Sequence, residues 1–238
     1  MPLSPEQEWT LVACGLVAHA DGILQADEWD QVLWMLDERL GASEATEWVG
    51  RLADHGSLRA RLSQLAPPAP LFIETILEKA WRMALADGEA SEAECEVHDE
   101  LAEILGATAD ELAQWRETWL SRAQQRGEIV AGFAAVLAGS DGVTEPMERQ
   151  QYVELLDRLP LAQGRRATLD GWLDSPPDLE ALIGRTLGLA PEDRGIALMA
   201  IVPVVKAAGV GEVERELFLD LAERVAIDPA QAERWLDR

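Results

Sequence analysis

Three times in this 238-residue chain an Asp-Gly pair is followed, after five further residues, by Glu: Asp21-Gly22 with Glu28, Asp87-Gly88 with Glu94, and Asp141-Gly142 with Glu148. Carboxylates are hard oxygen donors, the ligands that calcium, magnesium and manganese prefer. The spacing matches positions 5, 6 and 12 of an EF-hand loop. Positions 1 and 3 do not match, being Val17 and His19, Met83 and Leu85, and Leu137 and Gly139. Calcium takes six or more oxygens, so one half-loop cannot hold it and two would have to meet. The same phrase also has a purely structural reading. Gly just past a helix end can adopt the left-handed conformation that stops the helix, and Glu fits the third position of the next one. Ser91-Glu92-Ala93-Glu94 has the form of a capping box, and Pro146 suits a first helical position. This reading leaves the Asp unexplained, because an acid at a helix C-terminus faces the negative end of the dipole.

Other chemistry is less well provided for. His98-Asp99 forms the dipeptide that holds a divalent metal in helical phosphohydrolases, but such a site needs further ligands, and the remaining histidines are His19 and His55. Cys95 and His98, three apart on one helix, are a conceivable nucleophile and base, a pair that needs an oxyanion donor and an electropositive setting. Glu92, Glu94 and Glu96 around Cys95 would raise its thiol pKa and oppose that role. Neither G-x-S-x-G nor a P-loop is present. No catalytic residue is assigned, and the expectation is a protein that is not an enzyme.

Composition narrows the partners. Asp and Glu number 44 against 20 Lys and Arg, a net charge of −24. Nucleic-acid binding needs a basic footprint, and an anionic membrane surface repels such a chain. The charge suits a divalent metal or a protein partner with a basic surface, although acids also serve solubility alone. Cys14 and Cys95 are far apart with no CxxC, which fits two reduced, packed thiols. The N-terminus has no basic segment ahead of an apolar run. The longest apolar stretch, near 196–208, is broken by Pro203 and Lys206 and is too short to span a bilayer. The expected location is the cytoplasm.

The elements that must carry the Asp-Gly corners read as helices throughout. Ser4-Pro5 opens the first, with Trp9, Val12, Ala13, Leu16 and Val17 at helical spacing. A second run from Asp27 to Leu40 is stopped by Gly41, and another from Glu92 to Leu105 by Gly106. No segment alternates with period two, so the fold class is all-α, with about six or seven helices per unit. Trp9, Trp29, Trp34 and Trp81 fall at core positions. Trp115, Trp119 and Trp235 are read as core too, with an exposed patch for a partner as the alternative.

Repeats set the organisation. The first and third Asp-Gly copies are 120 residues apart. A fourth, decayed copy at Ala208-Gly209 with Glu214 follows the second by 121, lacks the Asp and is one residue shorter. Leu52, Leu58, Pro70 and Gly88 recur 121 residues later as Leu173, Leu179, Pro191 and Gly209. This reads as a duplicated unit of about 120 residues, each with two helix–turn–helix corners. The domains are 1–122 and, in degenerate form, 127–238, with the boundary in the polar run 121–127.

Ala20-Asp21-Gly22…Glu28 and Ala86-Asp87-Gly88-Glu89-Ala90-Ser91-Glu92-Ala93-Glu94, each followed by a helix ending in Leu-Gly, resemble the TerB-like family. It includes tellurite-resistance TerB proteins and a domain of a DnaJ-type co-chaperone. The resemblance implies two tandem TerB-like helical bundles, each with an internal repeat, and an acidic cluster that binds a divalent metal, calcium or another. Carried over residue by residue, the metal ligands are Asp21, Glu28, Asp87 and Glu94, with Asp141 and Glu148 keeping the pattern in the second unit. The implied role is a non-enzymatic binding module in stress or tellurite resistance. The alternatives are a scaffold without metal and, more remotely, an HD-type phosphohydrolase.

Overall fold

The computed structural model describes residues 3–20, 42–139, 146–162, 164–206 and 212–237, without the side chains of 42–46 and 212. All regular structure among them is helical, in agreement with the all-α expectation. The chain divides into two compact units, 1–121 and 122–238. The polar run 121–127 lies inside one helix, Ala109–Ala138, whose residues up to 121 count in the first unit. Strong helix formers (Arg, Gln, Ala) fill that run, and Ala123 is buried, so nothing breaks the helix there.

The first unit contains α1 (Pro5–Ala18), α2 (Ala42–Leu52), α3 (His55–Leu62), α4 (Ile73–Ala84) and α5 (Glu92–Leu105), followed by α6 (Ala109–Ala138). Ser4 and Gln7 close a capping box at the start of α1, with Pro5 as its first residue. From Trp9 to Ala18 every residue of α1 is buried, which makes it the central helix of the unit. It packs most extensively against α4 and also meets α2, α3 and α5. At Gly15 an added Cβ would lie 2.7 Å from Leu52 Cδ2 and 2.9 Å from Leu58 Cδ1, so glycine permits this close approach. The Trp9 indole donates to the Ala66 carbonyl (2.7 Å) and His19 Nε2 bonds the Leu52 carbonyl (2.6 Å), pinning both ends of α1.

The second unit continues with α7 (Pro146–Arg158), α8 (Arg165–Asp170), α9 (Leu179–Leu187), α10 (Pro191–Lys206), α11 (Glu212–Arg224) and α12 (Pro229–Asp237). Its core includes Phe133, Tyr152, Leu198, Ile201, Phe218 and Leu221. Buried Tyr152 donates to the Leu169 carbonyl (2.7 Å), and Glu128 receives both Arg165 (2.7 Å) and Arg185 (3.1 Å).

The C-terminal halves of the two units share a register of 120 residues. α5 ends with Gly106 in the left-handed region (φ 81°), its N–H bonded to Glu103 and that of Ala107 to Ala102. α11 is followed by Ala226, also left-handed (φ 63°), with Ala226 N–H bonded to Glu223 and Ile227 N–H to Ala222. The next helices start at Ala109 and Pro229, again 120 apart. Arg59 on α3 meets Glu100 on α5, and Glu180 on α9 meets Arg224 on α11, at positions on α5 and α11 that do not share this register.

Candidate functional site

Of the six sequence-predicted metal ligands, Asp21, Glu28 and Asp141 lie outside the described residues, as do Trp29, Trp34 and the expected helix Asp27–Leu40. Asp87, Glu94 and Glu148 are described. Asp87 is exposed in the turn between α4 and α5, where its Oδ1 accepts from the Glu89 N–H at 3.4 Å. Gly88 beside it has φ 104°, the left-handed conformation expected of a residue that turns the chain after a helix.

Glu94 is the third residue of α5. Its Oε2 accepts from the Ser91 N–H at 2.7 Å, and its own N–H donates to Ser91 Oγ at 3.2 Å. The capping box read from the sequence is therefore present. Two similar boxes provide a comparison. Gln7 does the same work at α1 half-exposed, and Glu111 bonds Thr108 at the start of α6 fully in solvent. Glu94 is only 7% exposed, and Glu148, third residue of α7, is likewise 7% exposed. Capping accounts for the position of Glu94. It does not by itself require a carboxylate to be buried.

The helices that lead into the first two corners, α1 and α4, are the pair that packs most closely in the first unit. Glu78, Lys79 and Arg82 stand on α4 just ahead of the second corner, with Arg82 bonded to Glu78 at 3.0 Å. Among the described residues no three His, Cys, Asp or Glu side chains gather as a metal-holding group.

Beside the second corner is a polar cluster that the sequence reading misses. His98 is fully buried on α5. Its Nε2 donates to the Leu77 carbonyl on α4 at 2.9 Å, which leaves Nδ1 as an acceptor. Arg116, on α6, fills that acceptor with Nε at 3.2 Å and Nη2 at 2.7 Å. The same guanidinium bonds the Cys95 carbonyl (3.2 Å) and the Asp99 carboxylate (2.8 Å). Its face lies over Trp81 of α4, 4.5 Å from the ring centroid. His98 also meets the Trp81 ring at 5.2 Å and Trp119 edge-on at 6.2 Å. Burial, reinforced by the Arg116 cation, pushes the His98 pKa down to about 4, so the imidazole is neutral near pH 7. Trp81 Nε1 is buried with no hydrogen-bond partner among the described residues.

This arrangement uses both ring nitrogens of His98 and turns Asp99 toward Arg116. The HD dipeptide thus serves a brace across α4, α5 and α6. The Cys95 thiol is raised as the acids around it suggest, although burial contributes more than they do. Cys14 is buried in α1, and burial pushes its thiol up to about 12. Both thiols are free. Trp9, Trp81, Trp119 and Trp235 are core residues, with Trp115 half-buried and stacked on Trp119 at 6.0 Å. The sequence signal for the brace lies in the 120-residue register, where Phe218 stands for His98 and Leu236 for Arg116.

Residues 7–117 match the family model described as tellurite resistance protein TerB. No curated protein and no solved structure matches the chain.

Proposed function

We propose, from the match of residues 7–117 to the TerB family model, that the chain is a TerB-like, non-catalytic binding module whose first unit holds a divalent cation. The ligands in this reading are Asp21 and Glu28 from one corner and Asp87 and Glu94 from the other. The observation that carries it is the burial of Glu94, which capping alone does not demand. The donor set fits such an ion. All four groups are carboxylates, which suits calcium, magnesium or manganese. A carboxylate that caps a helix can also ligate, since its two oxygens offer about four lone-pair sites. The bound cation would supply positive charge to a chain of net charge −24.

The non-catalytic reading is supported by the commitments of His98, Asp99 and Cys95 described above. The second unit is a diverged copy of the first in this reading. Its support is the shared 120-residue register of helix ends and the equal burial of Glu148. With Ala208 in place of the Asp, the counterpart of the corner at Asp141 and Glu148 keeps only Glu214. A basic protein surface is the macromolecular partner that the charge favours. No described helix is long and apolar enough to cross a membrane, and we take the cytoplasm as the place of action and tellurite or related stress as the setting.

The test is calorimetric titration of the full chain with calcium, magnesium, manganese and zinc, comparing wild type with Asp21→Asn plus Asp87→Asn. Heat specific to one or more of the hard cations, lost in the variant, is the expected result. No heat in either protein would leave a scaffold whose acids only keep it in solution.

A further inference from the structure

We infer that His98 and Arg116 are positioning residues for the Asp87–Glu94 corner, which rests on the cation-binding reading above. The corner joins α4 to α5, so its geometry depends on how those two helices are held. His98 ties them directly through its bond to the Leu77 carbonyl. Arg116 adds α6 to the assembly. It reaches α5 at the His98 ring, the Cys95 carbonyl and Asp99, and reaches α4 through the face of Trp81. The Cys95 carbonyl that it holds belongs to the residue after Glu94. A guanidinium with its fork used this fully fixes the angle and depth of its partners more narrowly than apolar packing does.

The second unit supplies an independent comparison. The shared helix ends at Gly106 and Ala226, and the helix starts at Ala109 and Pro229, set the register on both sides of the brace. In that register His98 corresponds to Phe218 and Arg116 to Leu236, and both replacements are buried. The corresponding corner carries Ala208 where the first unit has Asp87. Asp87 and the brace stand together in the first unit, and the equivalents of both are missing from the second, which keeps Glu214 in the place of Glu94. Phe218 and Leu236 also show that the same slot packs well with apolar side chains. A bundle of this kind thus does not need the polar brace in order to fold, and its retention beside the acidic corner points to a demand for position.

The experiment is a manganese titration of the full chain, read by the free-ion electron paramagnetic resonance signal and paired with thermal unfolding. It compares wild type, His98→Phe plus Arg116→Leu, and His98→Gln, whose amide can both donate and accept. The double variant takes its residues from the second unit and should unfold at a temperature close to wild type. Its manganese affinity should fall by about 10-fold or more, the range seen when groups that orient ligands are removed. His98→Gln should keep most of the affinity. Wild-type affinity in a folded double variant would overturn the inference and leave the cation site standing. Absence of manganese binding in wild type would overturn both. If the double variant fails to fold, Arg116→Leu decides by itself: a folded Arg116→Leu whose affinity falls about 10-fold supports the inference, and one that binds as wild type overturns it.

Discussion

Lowering the pH from 7 to 5 should weaken the first unit through His98, beyond what its carboxylates contribute. In the unfolded chain this imidazole titrates at its ordinary value of 6.5, whereas burial in the folded protein pushes it down to about 4. Between those values the unfolded chain takes up a proton that the folded protein does not, so falling pH favours unfolding. The stability is fully present above 6.5 and is lost as the pH drops toward 4. The interval from 6.5 to about 4 converts to about 3 kcal/mol in all, of which about 2 kcal/mol is gone by pH 5. The physical cause is visible in the brace: a proton on Nδ1 would remove the acceptor for Arg116 and set two cations against each other. Urea denaturation at pH 7 and pH 5 measures the effect, followed by tryptophan fluorescence, since seven of the nine tryptophans precede residue 121. His98→Phe is the reference, because the many carboxylates respond to acid in both proteins. Wild type should lose about 2 kcal/mol more than His98→Phe over this range. Equal losses in the two proteins would refute the assignment of His98 as a neutral buried base.

Three further outcomes follow from backbone and packing geometry. Ala226→Gly should stabilise the second unit by about 1 kcal/mol in chemical denaturation, because a left-handed alanine becomes the glycine that this helix end prefers. Gly106→Ala should cost the first unit about 1 kcal/mol by the same measurement, with no steric part, since nothing lies within 4 Å of the added Cβ. Gly15→Ala should cost about 1–3 kcal/mol, because its Cβ would overlap the ends of buried Leu52 and Leu58. A crystal structure of that variant should show the two leucines displaced.

Local features were the most legible in sequence. α5 is readable from Ser91 to Gly106 because a reciprocal cap and a left-handed glycine are chemistry of neighbouring residues. The start of α1 at Pro5 follows from the same kind of signal. The all-α class follows from periodicity and composition summed over many residues. The brace is of another kind. Arg116 is 18 residues from His98, and nothing near either residue announces that they meet. His98 read alone is a packed ring or half of an HD pair, and only the comparison with Phe218 and Leu236 marks it as distinctive. Burial of Glu94 was also beyond local reading, because the S-x-x-E signature is the same for a buried box and for an exposed one such as Thr108 with Glu111. The left-handed Ala226 is hidden for a similar reason: alanine at a helix end looks like continuation of the helix, and only tertiary packing turns it.

The central claim is that the two corners of the first unit hold one divalent cation, which a stoichiometry addresses most directly. Equilibrium dialysis of the full chain against manganese should find one ion per chain in wild type and none held at the same concentration by Asp21→Asn plus Asp87→Asn. An ion retained unchanged by that variant, or no ion bound by wild type, would contradict the account.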